Sequence, residues 1–145
     1  MPITIRPPKT EKEFEDYYQL RWEVLRKPRN EPKGSEKDKL EETADHMAAF
    51  DSGKVVGCGR IHLNNPDEAK VRFMAIAEAY QNQGIGGLIL DRLEEIARAE
   101  GAKYIILDAR EAALNFYLRH GYKTIEDGHV LFGNIPHWRM RKELQ

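Results

Sequence analysis

Gln81-Asn82-Gln83-Gly84-Ile85-Gly86-Gly87 sets three glycines among polar residues just before a new apolar stretch. Glycines at that density let a main chain approach a ligand closely, and a helix opening there aims its free N–H groups outward. Such a terminus favours phosphate. Spacing excludes two familiar phosphate loops. A P-loop needs Lys-Ser or Lys-Thr after its last glycine, to reach the terminal phosphates and a metal, whereas Gly86 is followed by Gly87-Leu88. The dinucleotide pattern G-x-G-x-x-G would need glycine where Ile89 stands. A bare turn joining a strand to a helix is the plainer alternative.

The flanking residues supply that strand and helix. Val71, Phe73 and Ala75 alternate with Arg72, Met74 and Ile76, which is strand periodicity. From Ile85 the period lengthens: Ile85, Leu88, Ile89, Leu93, Ile96 and Ala97 fall on one helical stripe, with Asp91, Glu94, Glu95 and Arg98 outside it. Gly101 closes this helix, and Tyr104 to Leu107 reads as a buried strand, so a right-handed crossover places Val71–Ala77 parallel to Tyr104–Asp108. Upstream lie a strand at Ile3–Arg6 and a helix opened by the Thr10/Glu13 capping box and ended by Pro28. The charged segment Arg29 to Glu42 reads as a solvated connector, with Ser35 able to cap a short second helix. Asp51-Ser52-Gly53 then turns a hairpin between His46–Phe50 and Lys54–Leu63. Downstream, a helix covers roughly Glu111 to His120, Tyr122 starts a strand, Asp127-Gly128 turns the chain, and His129–Phe132 and His137–Met140 finish the sheet.

With 145 residues, residues 1–145 are expected to form one domain, burying roughly two-thirds of their unfolded surface. The net charge of −1 leaves no electrostatic footprint for nucleic acid. Cys58 is the single cysteine, so no internal disulfide forms and no Cys/His spacing suggests a metal. Between two glycines and without an identifiable base, it reads as a small buried thiol. The absence of a signal-like or membrane-spanning run predicts a soluble, cytoplasmic protein with no membrane partner.

Gln81, Gly84 and Gly86 fit the pattern Q/R-x-x-G-x-G/A and resemble the pyrophosphate loop of the GNAT-fold N-acetyltransferases. One helix later that family carries N-x-x-A-x-x-x-Y-x-x-x-G-F/Y, and here Arg110, Ala113, Tyr117, Gly121 and Tyr122 stand in those places. The resemblance extends over nearly the whole chain, through LRWEVLR, GCGRIH and PHWRM, to small stand-alone members. It implies an α/β fold with a mixed, largely antiparallel sheet in the order β-α-α-β-β-β-α-β-α-β-β. The sheet would be splayed between strands 4 and 5, with helices on both faces. Two positions depart from the pattern. Asn82 stands where a further glycine is common, and tolerates the left-handed conformation needed there; Arg110 replaces the asparagine that touches the pantetheine arm.

The resemblance further implies acetyl-CoA as co-substrate and acetyl transfer to a primary amine by direct attack, without an acyl-enzyme. Tyr117 would be the general acid for the departing thiolate. Met74, Ala75, Ile76 and Ala77 would offer main-chain groups to pantetheine and the thioester carbonyl. Gln81, Asn82, Gln83, Gly84, Ile85, Gly86 and Gly87 would hold pyrophosphate, with Arg110 and Ala113 lining the same ligand. The acceptor would be a small-molecule or peptide amine, and a homodimer is an open outcome. A CoA-binding sensor without turnover is the alternative, and a nucleotide-binding module using the same loop a third. His46, His62, His120 and His137, with Glu36, Asp45 and Glu111, are candidate bases that spacing does not separate.

A final expectation comes from register. If Leu63 lies opposite Ala69, then Ile61 faces Val71 and Arg60 faces Arg72, with Val56, Cys58, Met74 and Ile76 on the arginines' face. Two facing arginines repel unless something anionic sits between them. Either an internal carboxylate such as Glu36 or Asp45 fills that place, or Arg60 and Arg72 hold a carboxylate of the acceptor.

Overall fold

Thr10 opens the first helix as a full capping box, its hydroxyl accepting from the Glu13 N–H while the Glu13 carboxylate reaches back to the Thr10 N–H. The computed structural model describes residues 2–132 and 135–144, and the side chains of 2–125 and 135–144. Its elements are β1 (Ile3–Arg6), α1 (Glu11–Leu25), β2 (Asp45–Asp51), β3 (Lys54–Leu63), β4 (Glu68–Ile76), α2 (Ile85–Ala99), β5 (Tyr104–Arg110), α3 (Leu114–Arg119), β6 (Lys123–Phe132) and β7 (Ile135–Glu143). The strands form one sheet ordered β1-β2-β3-β4-β5-β7-β6. Every neighbouring pair is antiparallel except β4 and β5. After α1 the chain makes a 3-10 turn at Lys27–Arg29 and then a run of turns, so no second α-helix forms at Ser35. The Asp127-Gly128 turn does not divide the late strands either; β6 continues through it with a register shift between Thr124 and His129.

The two faces of the sheet bury separate clusters. Against α2 lie Met47, Val56, Ile61, Val71, Ile105 and Leu107, packed on Ile85, Ile89, Leu90 and Leu93. Against α1 lie Ala48, Phe50, Val55, Cys58 and Ala75, packed on Tyr17 and Leu20. Two positions of α2 depart from the expected stripe. Leu88 is exposed, whereas Glu94 is buried and holds both the Tyr122 hydroxyl and Lys142 at 2.9 Å. Glu94 is thus tied to Tyr122, just before β6, and to Lys142 of β7, two donors that compensate the buried carboxylate.

The β3–β4 register is as expected, with Leu63 opposite Ala69, Ile61 opposite Val71 and Arg60 opposite Arg72. Beyond it the pairing shifts by one residue, so Cys58 pairs with Ala75 and Gly57 with Ile76. Phe73 sits at the shift with φ of 59°, the left-handed region that a bulky residue rarely enters. A one-residue bulge sends later side chains to the opposite face. Met74 and Ile76 therefore turn towards α2, where they meet the open positions left by Gly59 and Gly57; they and Val56, which joins the same cluster, do not share the arginines' face, whereas Cys58 does. Cys58 donates its thiol to the Phe73 carbonyl at 3.3 Å, satisfying an acceptor that the bulge takes out of the ladder.

Candidate active site

Strands β4 and β5 pair only from Glu68/Tyr104 to Lys70/Ile106. Beyond Lys70 they diverge, and the β4 edge from Val71 to Ile76 faces a cleft instead of a strand. A cavity of about 1010 Å³ fills this opening and is lined from both faces of the sheet. On one side are Gly84 to Gly87 of α2 with Phe116 and Tyr117 of α3; on the other are Val24, Leu25, Arg26 and Arg29 at the end of α1.

The α2 terminus is built to stay open. Asn82 (φ 63°) and Gly84 (φ 83°) both take the left-handed conformation, which turns the chain sharply out of β4 into the helix. No side chain caps it, and the first intrahelical bond runs from the Leu88 N–H to the Gly84 carbonyl, leaving the N–H groups of Ile85, Gly86 and Gly87 without an intrahelical acceptor. A Cβ at Gly84 would meet nothing within 4 Å. At Gly86 it would stand 3.2 Å from Phe116, and at Gly87 2.8 Å from His120. The last two glycines therefore serve the close approach of α3 to α2, and the first serves the turn. Gln81 and Gln83 brace the loop by donating to the Ile76 and Ala79 carbonyls at 3.0 and 3.2 Å. A concave terminus with open N–H groups fits a pyrophosphate.

Tyr117 is 7% exposed, lines the cavity, and makes no hydrogen bond through its hydroxyl among the described residues. Burial pushes its phenol above the ordinary value, so it is neutral and keeps a proton to give. Phe116 and Tyr122 fix the ring edge-on, at 5.0 and 5.7 Å between centroids.

Of the other residues named from sequence, Met74, Ala75, Ile76, Gln81, Asn82, Arg110, Ala113 and Arg72 also line the cavity. Ala77 and Gln83 do not, and Ala77 donates its N–H to the Val56 carbonyl at 2.9 Å. Arg60 is outside it too. It is fully buried and ion-paired with Asp38 at 2.6 Å and Glu41 at 2.9 Å, while Arg72 reaches the other Asp38 oxygen at 2.9 Å. The anion between the facing arginines is thus internal, and the residue supplying it is Asp38 instead of Glu36 or Asp45. Arg21 joins through Glu41, and the Phe73 ring lies under Arg21, Arg60 and Arg72 at 4.2, 4.9 and 4.3 Å. The connector is therefore docked on the sheet and not free in solvent.

Sequence reasoning missed Arg26, Arg29 and Asp108 in this cavity. The first two lay at the margin of a segment read as solvated, where composition carries no signal of direction. Asp108 is held below its ordinary value: burial alone would raise it, and Arg139 with Lys70 outweighs that. His137 lines the same wall, and burial lowers it, with Arg110 and Arg29 acting the same way against its hydrogen bond to the Ile135 carbonyl.

The chain matches the model of the acetyltransferase (GNAT) family over residues 12–122. It is 33% identical over 135 residues to the Bacillus subtilis (strain 168) protein named "Uncharacterized N-acetyltransferase YjcF", covering 93% of this chain and 96% of that one. Its fold superposes on an acyl-CoA N-acyltransferase from Pseudomonas aeruginosa with a TM-score of 0.80 at 24% identity, covering 97% and 98% of the two chains. A GNAT family acetyltransferase from Elizabethkingia anophelis, solved with acetyl-CoA bound, superposes with a TM-score of 0.74 at 18% identity, covering 98% of each. Splayed strands, an open α2 terminus and a buried tyrosine on the helix that follows β5 come together here in a chain that belongs to the GNAT family of acetyltransferases.

Proposed function

We propose that residues 1–145 act as one domain that transfers an acetyl group from acetyl-CoA to a primary amine by direct attack. The observation that carries this is one cavity joining an uncapped helix terminus, an unpaired strand edge and a neutral phenol. The Elizabethkingia anophelis relative binds acetyl-CoA on the same fold. In this chain the N–H groups of Ile85, Gly86 and Gly87 receive the pyrophosphate. The β4 edge around Met74 to Ile76 orients the pantetheine arm and polarises the thioester carbonyl. Bound acetyl-CoA supplies an activated acyl group whose transfer needs no covalent enzyme intermediate. The amine enters from the α1 side, must lose a proton to attack, and forms the C–N bond as the C–S bond breaks. Tyr117 donates its proton to the departing sulfur, giving the free thiol of CoA, and the proton shed by the acylated nitrogen restores the neutral phenol.

Two measurements test this. CoA should raise the melting temperature, and thiol should be released only when acetyl-CoA and an amine are both present. A shift with CoA but no thiol release across amino acids, polyamines, amino alcohols and peptide N-termini would leave a CoA-binding module without turnover. No shift at all would remove CoA as the ligand.

A further inference from the structure

The wall of the cavity on the α1 face is unusually cationic. Arg26, Arg29, Arg72 and Arg110 all line it, and among the described residues Asp108 is the one carboxylate that does. That carboxylate is already shared between Arg139 at 2.9 Å and Lys70 at 3.3 Å. Arg72 has Asp38. Arg26, Arg29 and Arg110 have no carboxylate partner within ion-pairing distance among the described residues. Two of them converge on a single neutral acceptor: Arg26 Nη1 donates to the Leu25 carbonyl at 3.3 Å and Arg110 Nη2 to the same oxygen at 3.5 Å. Arg26 is further fixed by Nε donating to the Ser35 carbonyl at 3.0 Å. A carbonyl orders these guanidinium groups without neutralising them. Each of the pair is held below its ordinary value, by burial first and by its arginine neighbours second.

Like charges gathered and partly desolvated are costly unless an anion joins them. The CoA pyrophosphate does not meet that need, because its cradle is on the α2 face of the sheet while these arginines cluster at the end of α1. We infer that the amine accepted here carries a carboxylate, received by Arg26, Arg29 and Arg110 where the end of α1 meets the end of β5. The inference rests on the acetyl transfer proposed above. An arginine fork matches a carboxylate with two parallel hydrogen bonds, and ordered guanidinium groups lose little freedom on binding one. Arg110, standing where the family pattern has asparagine, then serves the acceptor side.

The test uses four acceptors with acetyl-CoA: L-glutamate, L-alanine, L-alaninamide and putrescine. Thiol release should favour at least one free acid over the amide and the diamine by tenfold or more in kcat/KM. Among the described residues the hydrogen bond of Arg29 is a main-chain one, from its N–H to the Arg26 carbonyl, so Arg29→Gln should fold normally. It should raise the KM for that acid at least tenfold and leave both the CoA-induced melting shift and the low rate with L-alaninamide unchanged. Preference for L-alaninamide or putrescine would overturn the carboxylate inference alone, with acetyl transfer intact. So would a CoA-loaded protein in which neither acid releases thiol nor adds to the melting temperature, or an Arg29→Gln effect equal on all acceptors. Absence of both a CoA shift and any thiol release would instead remove acetyl transfer, and this inference with it.

Discussion

Tyr117 and Arg60 are both almost fully enclosed, yet only one of them touches the cavity. Tyr117→Phe keeps the ring packed between Phe116 and Tyr122 and removes only the proton donor. Turnover should fall about 10²- to 10⁴-fold with CoA affinity nearly unchanged, as steady-state kinetics and thermal shift would show; equal activity would make Tyr117 a packing residue. Arg60→Met should do the opposite. It leaves Asp38 and Glu41 short of a partner at a cost of about 3–5 kcal/mol, read as a large fall in melting temperature with no change in the acceptor KM. Asp38 sets a pH dependence of its own. Burial alone would raise its carboxyl, but the hydrogen bond from Arg60, the Leu40 N–H and the charges of Arg60 and Arg72 hold it at about 2 against an ordinary 3.8. A carboxyl depressed in the folded state contributes stability above its unfolded pKa and loses it as pH falls through the folded one. Asp38→Asn should therefore melt below the native chain at pH 7, and the gap should close between about pH 4 and pH 2.

At the scale of elements, the glycine loop was legible because its residues act locally: a left-handed turn at Asn82 and Gly84 follows from backbone sterics, wherever the loop is placed. The reason for Gly86 was not legible, since Phe116 approaches it from a helix 30 residues away in sequence. These roles predict different defects. Gly84→Ala points its methyl into open space and incurs only the left-handed penalty, about 1–2 kcal/mol of stability. Gly86→Val drives a branched side chain into the Phe116 ring, separating α3 from α2, and should abolish the CoA-induced melting shift. The bulge at Phe73 was equally hidden. Burial still alternates along β4 as the sequence suggested, but Val71 goes to the α2 cluster and Ala75 to the α1 cluster. Alternation reports which residues leave water and not which face receives them.

For the whole molecule, the proposed reaction sets the cofactor on one face of the sheet and the acceptor on the other, and the cavity at the divergence of β4 from β5 is lined from both. CoA at a hundredfold its Kd should add about 2.7 kcal/mol of stability. Cys58 gives an independent measure of the same coupling. It is fully buried, and burial pushes its thiol up to about 11, so a thiol reagent should modify it only through opening of the sheet and more slowly with CoA present. What the sequence by itself determined about this protein was whatever depends on near neighbours: the Thr10 capping box, the left-handed turn of the loop, the β3–β4 pairing from Leu63/Ala69 to Arg60/Arg72 and the succession of strands along the chain. Only the tertiary structure decided that Asp38 would neutralise Arg60 and Arg72, that Glu94 would be buried and Leu88 exposed, and that Arg26, Arg29 and Arg110 would meet at one wall of the cavity. Charge is additive along a chain, but its energy depends on distance and desolvation, and those exist only once the connector has docked and the strands have parted.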